Sequence, residues 1–497
     1  MRKILNTFLL AVTITSFAIS QTDHDHFPCA TTGEYPQWLA SYLENPTYQH
    51  ARNADEVLML PISFKSVGNS QGEGHYPTLK IFESLCRLNT DFEPYNIQFY
   101  LKGPIEKINR DLYYNHTDFS DGFKMMQSNK DPLTINIFIT NDAPSNACGY
   151  FHPSADGIVV IKNCMGGSGH TLTHEVGHWL SLPHTFAGWE GMSYDPEKGA
   201  PLFLDVNGND TIFVEGANGE NCSKAGDRFC DTPADYLSVG WNCSGNKESL
   251  QVLIDPFGND FRSDGTNYMS YSSDACQSKF STMQVEAMRS YIDFARSHFL
   301  FNGFPINPVD DSPMTSVFPQ PSDKVHYQGI DLEWNHHPNA TRYLVQISRF
   351  SFFAAIDYEF IVSGNSVNIG DLTVDKNWYW RVKPYNDFDV CGDFTDFGGF
   401  HTFDITDVEE ISANNGVNIY PTLLARDQSL NLVFDFNEIL PTKVQLYNIG
   451  GQLMQDFEIA NPGKQTFEIP TGELSRGMYI LRLSTAKGQL TKRLTVQ

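Results

Sequence analysis

An α/β domain followed by two all-β sandwich blocks is the architecture that this 497-residue sequence predicts. Three observations predict it. At about 150 residues per domain, the length gives roughly three domains, each large enough to bury its own core. From about residue 54, apolar strand-like runs alternate with helical stretches, the pattern of a sheet covered by helices. Beyond a Pro-rich connection near residue 305, only short alternating runs remain.

Taken in order, residues 1–20 open with Arg2 and Lys3, continue through an apolar run and end at Ala18-Ile19-Ser20, a small-x-small pattern. That is the form of a cleaved secretory signal, and no later segment is long and apolar enough to span a bilayer. Residues 21–53 form a polar, His-rich stretch followed by PQWLASYLENPTYQHARN, whose apolar positions recur at helical spacing, as in a pro-segment. Residues 54–304 contain the strands VLMLPISFKSV, NIQFYL, INIFIT and GIVVIK with the helical YPTLKIFESLCRLNTDF between them, and close on the helical MQVEAMRSYIDFARSHF. Residues 313–405 contain IDLEWN, RYLVQIS, WYWRVKPYN and GGFHTF, spaced as in a sandwich, and the block resembles a fibronectin type III module. Residues 415–497 form a second all-β block of six short runs.

Composition narrows the function. Lys and Arg number 34 against 59 Asp and Glu, a net charge of −25, which argues against binding nucleic acid. A hydrophobic fraction of 41% separates the chain from acidic disordered proteins. Of nine cysteines, an odd number, most should pair outside the cytosol and at least one is left over. Cys148 and Cys164 are a plausible pair. Cys222, Cys230, Cys243 and Cys276 allow three connectivities.

Residues 174–184 read HEVGHWLSLPH. Positions four apart on a helix differ by about 40° of rotation, so His174 and His178 present their rings on one face, a turn apart, as two ligands of one tetrahedral zinc require. Glu175 is rotated off that pair and reaches a water on the metal. Six residues advance a helix by about 600°, so His184 joins only if the chain turns sharply after His178. Pro183 supplies part of that turn, and Ser181 stands where glycine is easier, at a cost of about 1 kcal/mol if its φ is positive.

The segment resembles the zinc site of the metzincins, and within them the pappalysin family, which implies a metzincin-like catalytic domain with a twisted sheet and an active-site helix. Such enzymes carry a methionine in a tight turn beneath the metal, and NYMSYSSDAC at 267–276 fits, with Met269 as that methionine and Tyr271 as donor to the substrate carbonyl. GDRFCDTPAD is similar to the family's calcium loop, implying Asp227, the Phe229 carbonyl, Asp231 and Thr232 as calcium ligands. DVNGNDT at 205–211 is a weaker calcium loop. Family precursors carry a C-G-T pro-segment, and PCATTGEYPQWLASYLENPTYQHAR has that shape with Ala30 for glycine. Cys29 is then a latency thiol that fills the fourth zinc position until the segment is cut away. Substrate preference would lie in the wall near Asp274.

The final block resembles the C-terminal sorting domain of the type IX secretion system, through VNIYPT, KVQLYNIGGQLM, ELSRGMYILRLS and the terminal Lys/Arg. Together these readings imply a secreted or cell-surface zinc endopeptidase acting on protein or peptide substrates, exported by that machinery. Two other readings compete: an inactive surface adhesin working through its β-sandwiches, and a zinc peptidase whose third ligand is Glu190 or Glu197 in place of His184.

Overall fold

The computed structural model describes residues 29–31, 35–45, 55–206, 210–310, 312–404, 417–425, 428–435, 441–460, 462–485 and 488–497. The expected signal at 1–20, much of the expected pro-segment and the centre of the 205–211 loop lie outside the described residues. Two compact units form, one of residues 1–312 with 337–343 and 383–394, the other of 313–336, 344–382 and 395–497.

The first unit is built on one sheet. Helix α1 (Gln37–Glu44) is followed by β1 (Leu58–Gly68), α2 (Thr78–Phe92), β2 (Ile97–Leu101), β3 (Glu106–Asn109), the short α3 (Asp111–Tyr114), α4 (Phe119–Asn129), β4 (Ile135–Thr140), β5 (Gly149–His152), β6 (Gly157–Ile161) and α5 (Thr171–Trp179). The strand order is β2-β1-β4-β6-β5, with β3 also on β1. All pairs are parallel except β5 with β6. Every residue of β4 and β6 is buried, as strands covered on both faces must be. Helix α2 buries Ile81, Phe82, Leu85, Leu88 and Phe92, a stripe at helical spacing.

From residue 180 to 281 regular structure is sparse. Two small hairpins, β7 (Phe203–Val206) with β8 (Asp210–Phe213) and β9 (Leu253–Ile254) with β10 (Asp260–Phe261), lie in a long excursion held by Cys222–Cys230 and Cys243–Cys276. Those are one of the three connectivities left open, and Cys148–Cys164 pairs as expected. Helix α6 (Thr282–Ala295) closes the unit, its start fixed by a capping box of Ser281 and Gln284.

The unit does not end at the Pro-rich connection. Cys391 bonds Cys86 on α2, across 305 residues of sequence. Leu101 N donates to Asp387 O at 2.8 Å, and the Phe388 ring stacks on Tyr100 with centroids 4.9 Å apart.

In the second unit each β block is a sandwich of a three-stranded and a five-stranded sheet. In the first block Trp334 and Trp380 face each other from the two sheets, centroids 6.2 Å apart. In the last, Leu430, Leu432 and Phe434 from one sheet meet Leu446, Leu481 and Leu483 from the other. No helix among the described residues is long and apolar enough to cross a membrane.

Candidate metal centre

Helix α5 carries His174, Glu175 and His178 and ends just beyond them. Leu182 N donates to Gly177 O at 3.0 Å and Ser181 N to His178 O at 2.9 Å, the paired bonds of a Schellman cap. Ser181 takes the left-handed position of that cap with φ 77°, so the turn required after His178 is made by the residue named for it. Pro183 has no N–H to continue the helix, and the chain brings His184 back to the same side.

The three rings converge. His178 Nε2 lies 3.1 Å from both His174 Nε2 and His184 Nε2. On the far side of each ring, Nδ1 donates to a fixed acceptor: His174 to Tyr268 O at 2.7 Å, His178 to Leu182 O at 2.8 Å, His184 to Glu190 Oε1 at 3.1 Å. A carbonyl or carboxylate can only accept, so each Nδ1 carries the proton and each Nε2 presents a bare lone pair. Three lone pairs at such distances repel unless a cation lies among them. Cys29 Sγ completes the set 3.6 Å from His178 Nε2, and all four donor atoms lie within 4.8 Å of one another. Zinc bonds of about 2.0–2.1 Å to nitrogen and 2.3 Å to sulfur make tetrahedral edges of about 3.3 Å between nitrogens and 3.6 Å from nitrogen to sulfur, so the donor set fits that metal.

Every residue of this donor set is buried. Burial and the neighbouring His184 push the His174 imidazolium down to about 3, and His178 falls well below its ordinary value for the same reasons, so both rings are neutral donors. Burial pushes Glu175 up to about 8. Its Oε1 is buried without a hydrogen-bond partner among the described residues, while Oε2 accepts from Thr31 Oγ1 at 3.3 Å. Thr31 also accepts from Phe151 N at 2.9 Å, and Ala30 N donates to Gly149 O at 2.9 Å, so residues 29–31 run along the open side of β5. Tyr271 OH donates to Cys29 O at 2.6 Å.

Met269 is fully buried beneath α5, against Gly177, where an added Cβ would collide with its sulfur. Its turn is tied by Met269 N to Asn267 Oδ1 at 2.8 Å and Ser270 N to Asn267 O at 3.1 Å. Sequence reasoning missed two carboxylates that brace this turn. Asp235 accepts from Thr185 Oγ1 at 2.8 Å and Ser270 Oγ at 3.3 Å. Asp91 on α2 accepts from His170 Nδ1 at 2.7 Å, Thr173 Oγ1 at 2.6 Å and Tyr268 OH at 3.3 Å. Neither lies in a spacing pattern; only the position of Asp91 on the apolar face of α2, three residues after Leu88, hinted at one.

Of the residues expected to hold calcium, Asp227, the Phe229 carbonyl and Thr232 come together, and Asp231 does not join them. Asp227 accepts from Phe229 N at 3.0 Å and Thr232 Oγ1 at 2.8 Å, and the same hydroxyl also meets the Phe229 carbonyl at 2.6 Å. Asp231 instead caps α6, accepting from Ser281 Oγ at 2.7 Å and Met283 N at 2.8 Å. Glu190 faces the Nδ1 side of His184, away from the converging nitrogens, so it supports that ligand and does not replace it. Asp274 accepts from His170 N at 2.9 Å at the start of α5.

Residues 157–293 match the family model described as pregnancy-associated plasma protein-A, and residues 418–497 that of a secretion system C-terminal sorting domain. An extracellular metalloprotease of Sordaria macrospora is 27% identical over 268 residues, covering 50% of this chain and 79% of that protein. One from Neurospora crassa is 25% identical over 317 residues, covering 58% and 96%. Among solved structures, fibronectin(III)-like modules of Clostridium thermocellum CbhA cover 37% of this chain and 92% of theirs at 9% identity, with a TM-score of 0.21.

Proposed function

Because residues 157–293 carry the pappalysin-type peptidase block and residues 418–497 a sorting domain that makes this a secreted or cell-surface protein exported by type IX secretion, we propose that the chain is a zinc endopeptidase with a metzincin-like catalytic fold, held latent by Cys29. The observation that carries the reading is the convergence of three Nε2 lone pairs, each fixed by a bonded Nδ1, with a buried carboxylate one residue from the first.

His174, His178 and His184 would hold zinc, which would supply a Lewis acid to lower the pKa of a water and polarise a peptide carbonyl. Glu175 Oε1 takes the proton from the attacking water and passes it to the leaving amine. The protein's burial of that carboxyl favours the protonated form it holds between the two transfers. Tyr271 OH donates to the carbonyl oxygen as it turns anionic, and in the latent chain it already donates to a carbonyl, that of Cys29. Latency has two components: the Cys29 sulfur stands where the water is needed, and Thr31 Oγ1 engages the base.

The test is Glu175→Gln in the processed protein. Zinc content should stay at one per chain while casein cleavage falls by about 10²–10⁴-fold, and a zinc chelator should abolish cleavage of the wild type. Cleavage that survives either treatment rules the reading out.

A further inference from the structure

The N-terminal segment fills more of the cleft than the metal needs. Six residues after Cys29, Tyr35 OH donates to Asp227 O at 2.9 Å, and the Arg228 guanidinium lies over its ring, 4.8 Å from the centroid. Tyr35 also borders, together with His178, His184 and Tyr291, a cavity of about 350 Å³, so the residue that fills the niche also faces the space beside two of the three converging histidines. The walls of the niche are stiff. The Asp227 carboxylate is tied to Phe229 N and Thr232 Oγ1 inside the protein, which fixes the direction of its carbonyl. Arg228 is held with φ 62°, which sets where its side chain leaves the backbone. Three residues beyond Tyr35, Trp38 packs on Tyr291 of α6 with centroids 4.9 Å apart, so the cleft continues along an aromatic wall.

We propose that the Asp227–Arg228 niche is a substrate subsite that takes an aromatic side chain, tyrosine best, at one fixed position of the cleaved polypeptide. The proposal rests on the endopeptidase reading and names what that site selects. When the segment leaves, the niche is left with a cation positioned to face a ring and a carbonyl directed at a phenol. A cation over an aromatic face attracts it, the more so as the site is shielded from water. The fixed carbonyl adds a hydrogen bond that tyrosine makes and phenylalanine does not. The pro-segment fills the niche as a surrogate substrate.

The experiment uses the full chain activated by removal of its pro-segment, and a peptide series in which tyrosine, phenylalanine or alanine is placed at each position within six residues of the cut bond. One position should show kcat/KM on the order of tenfold higher for tyrosine than alanine, with phenylalanine between. Arg228→Gly, which suits φ 62° and so adds no backbone strain, should bring the phenylalanine-to-alanine ratio close to one and lower the tyrosine-to-alanine ratio to the part that the Asp227 carbonyl supplies. Arg228→Lys should keep part of what Arg228→Gly loses. Cleavage of the alanine peptides with no tyrosine preference at any position, or a preference undiminished in Arg228→Gly, overturns the subsite and leaves the peptidase reading standing. Failure to cleave any peptide, or cleavage that persists in Glu175→Gln, overturns the peptidase reading and the subsite with it.

Discussion

At Ser181 the metal centre needs a left-handed residue and has a serine, with φ 77° and a hydroxyl buried without a hydrogen-bond partner among the described residues. Glycine removes both costs, the Cβ clash and the unpaired oxygen. Ser181→Gly should therefore stabilise the protein by about 1 kcal/mol, a rise in Tm of about 2 °C by calorimetry. A fall would mean that the hydroxyl has a partner. Gly177 makes the opposite demand. It lies between His174 and His178, where any Cβ meets the Met269 sulfur. Gly177→Ala should cost about 1–3 kcal/mol and speed zinc loss to a chelator, because the helix must lift off the turn beneath it. Spacing along the chain pointed to Ser181, since the turn after His178 is a local necessity. It said nothing of Gly177, whose constraint comes from a methionine distant in sequence.

Helix α5, the methionine turn and four of the sheet strands were all legible, because each is long or carries a distinctive residue pattern. Strands β3 and β5, at four residues each, are too short for alternation to show. The second matters most, since it offers its open side to residues 29–31. That pairing places Cys29 O on Tyr271 and Cys29 Sγ at the histidines, so one short segment covers both Tyr271 and the converging ring nitrogens. Cys29→Ala in the unprocessed chain should raise basal casein cleavage by roughly tenfold or more, since loss of one zinc–thiolate bond exceeds the 1.4 kcal/mol that a factor of ten represents. An unprocessed Cys29→Ala chain as inert as the wild type would show that Thr31 and α1 keep the cleft shut without the sulfur.

The two β blocks and the net charge of −25 could be read at the scale of the whole chain, because alternation and composition survive without any knowledge of contacts. The extent of the first compact unit could not. A Pro-rich stretch marks where local structure lapses, yet residues 337–343 and 383–394 belong with the first unit even though they lie beyond it. What holds them is non-local: the Cys86–Cys391 bond, the Asp387 carbonyl beside β2, the Arg342 guanidinium on the Gly103 carbonyl, and the Phe388 ring against Tyr100 and Phe301. A chain ending at residue 312 loses every one of these partners. It should melt well below the full protein, whereas replacing both Cys86 and Cys391 with serine in the full chain should remove only the cross-link, about 2–5 kcal/mol. Calorimetry of the two side by side separates the contributions, with the truncated chain expected to be the less stable, because it also leaves Tyr100 and Phe301 uncovered. A truncated chain that melts with the wild type would mean that the first unit stands without the two borrowed segments.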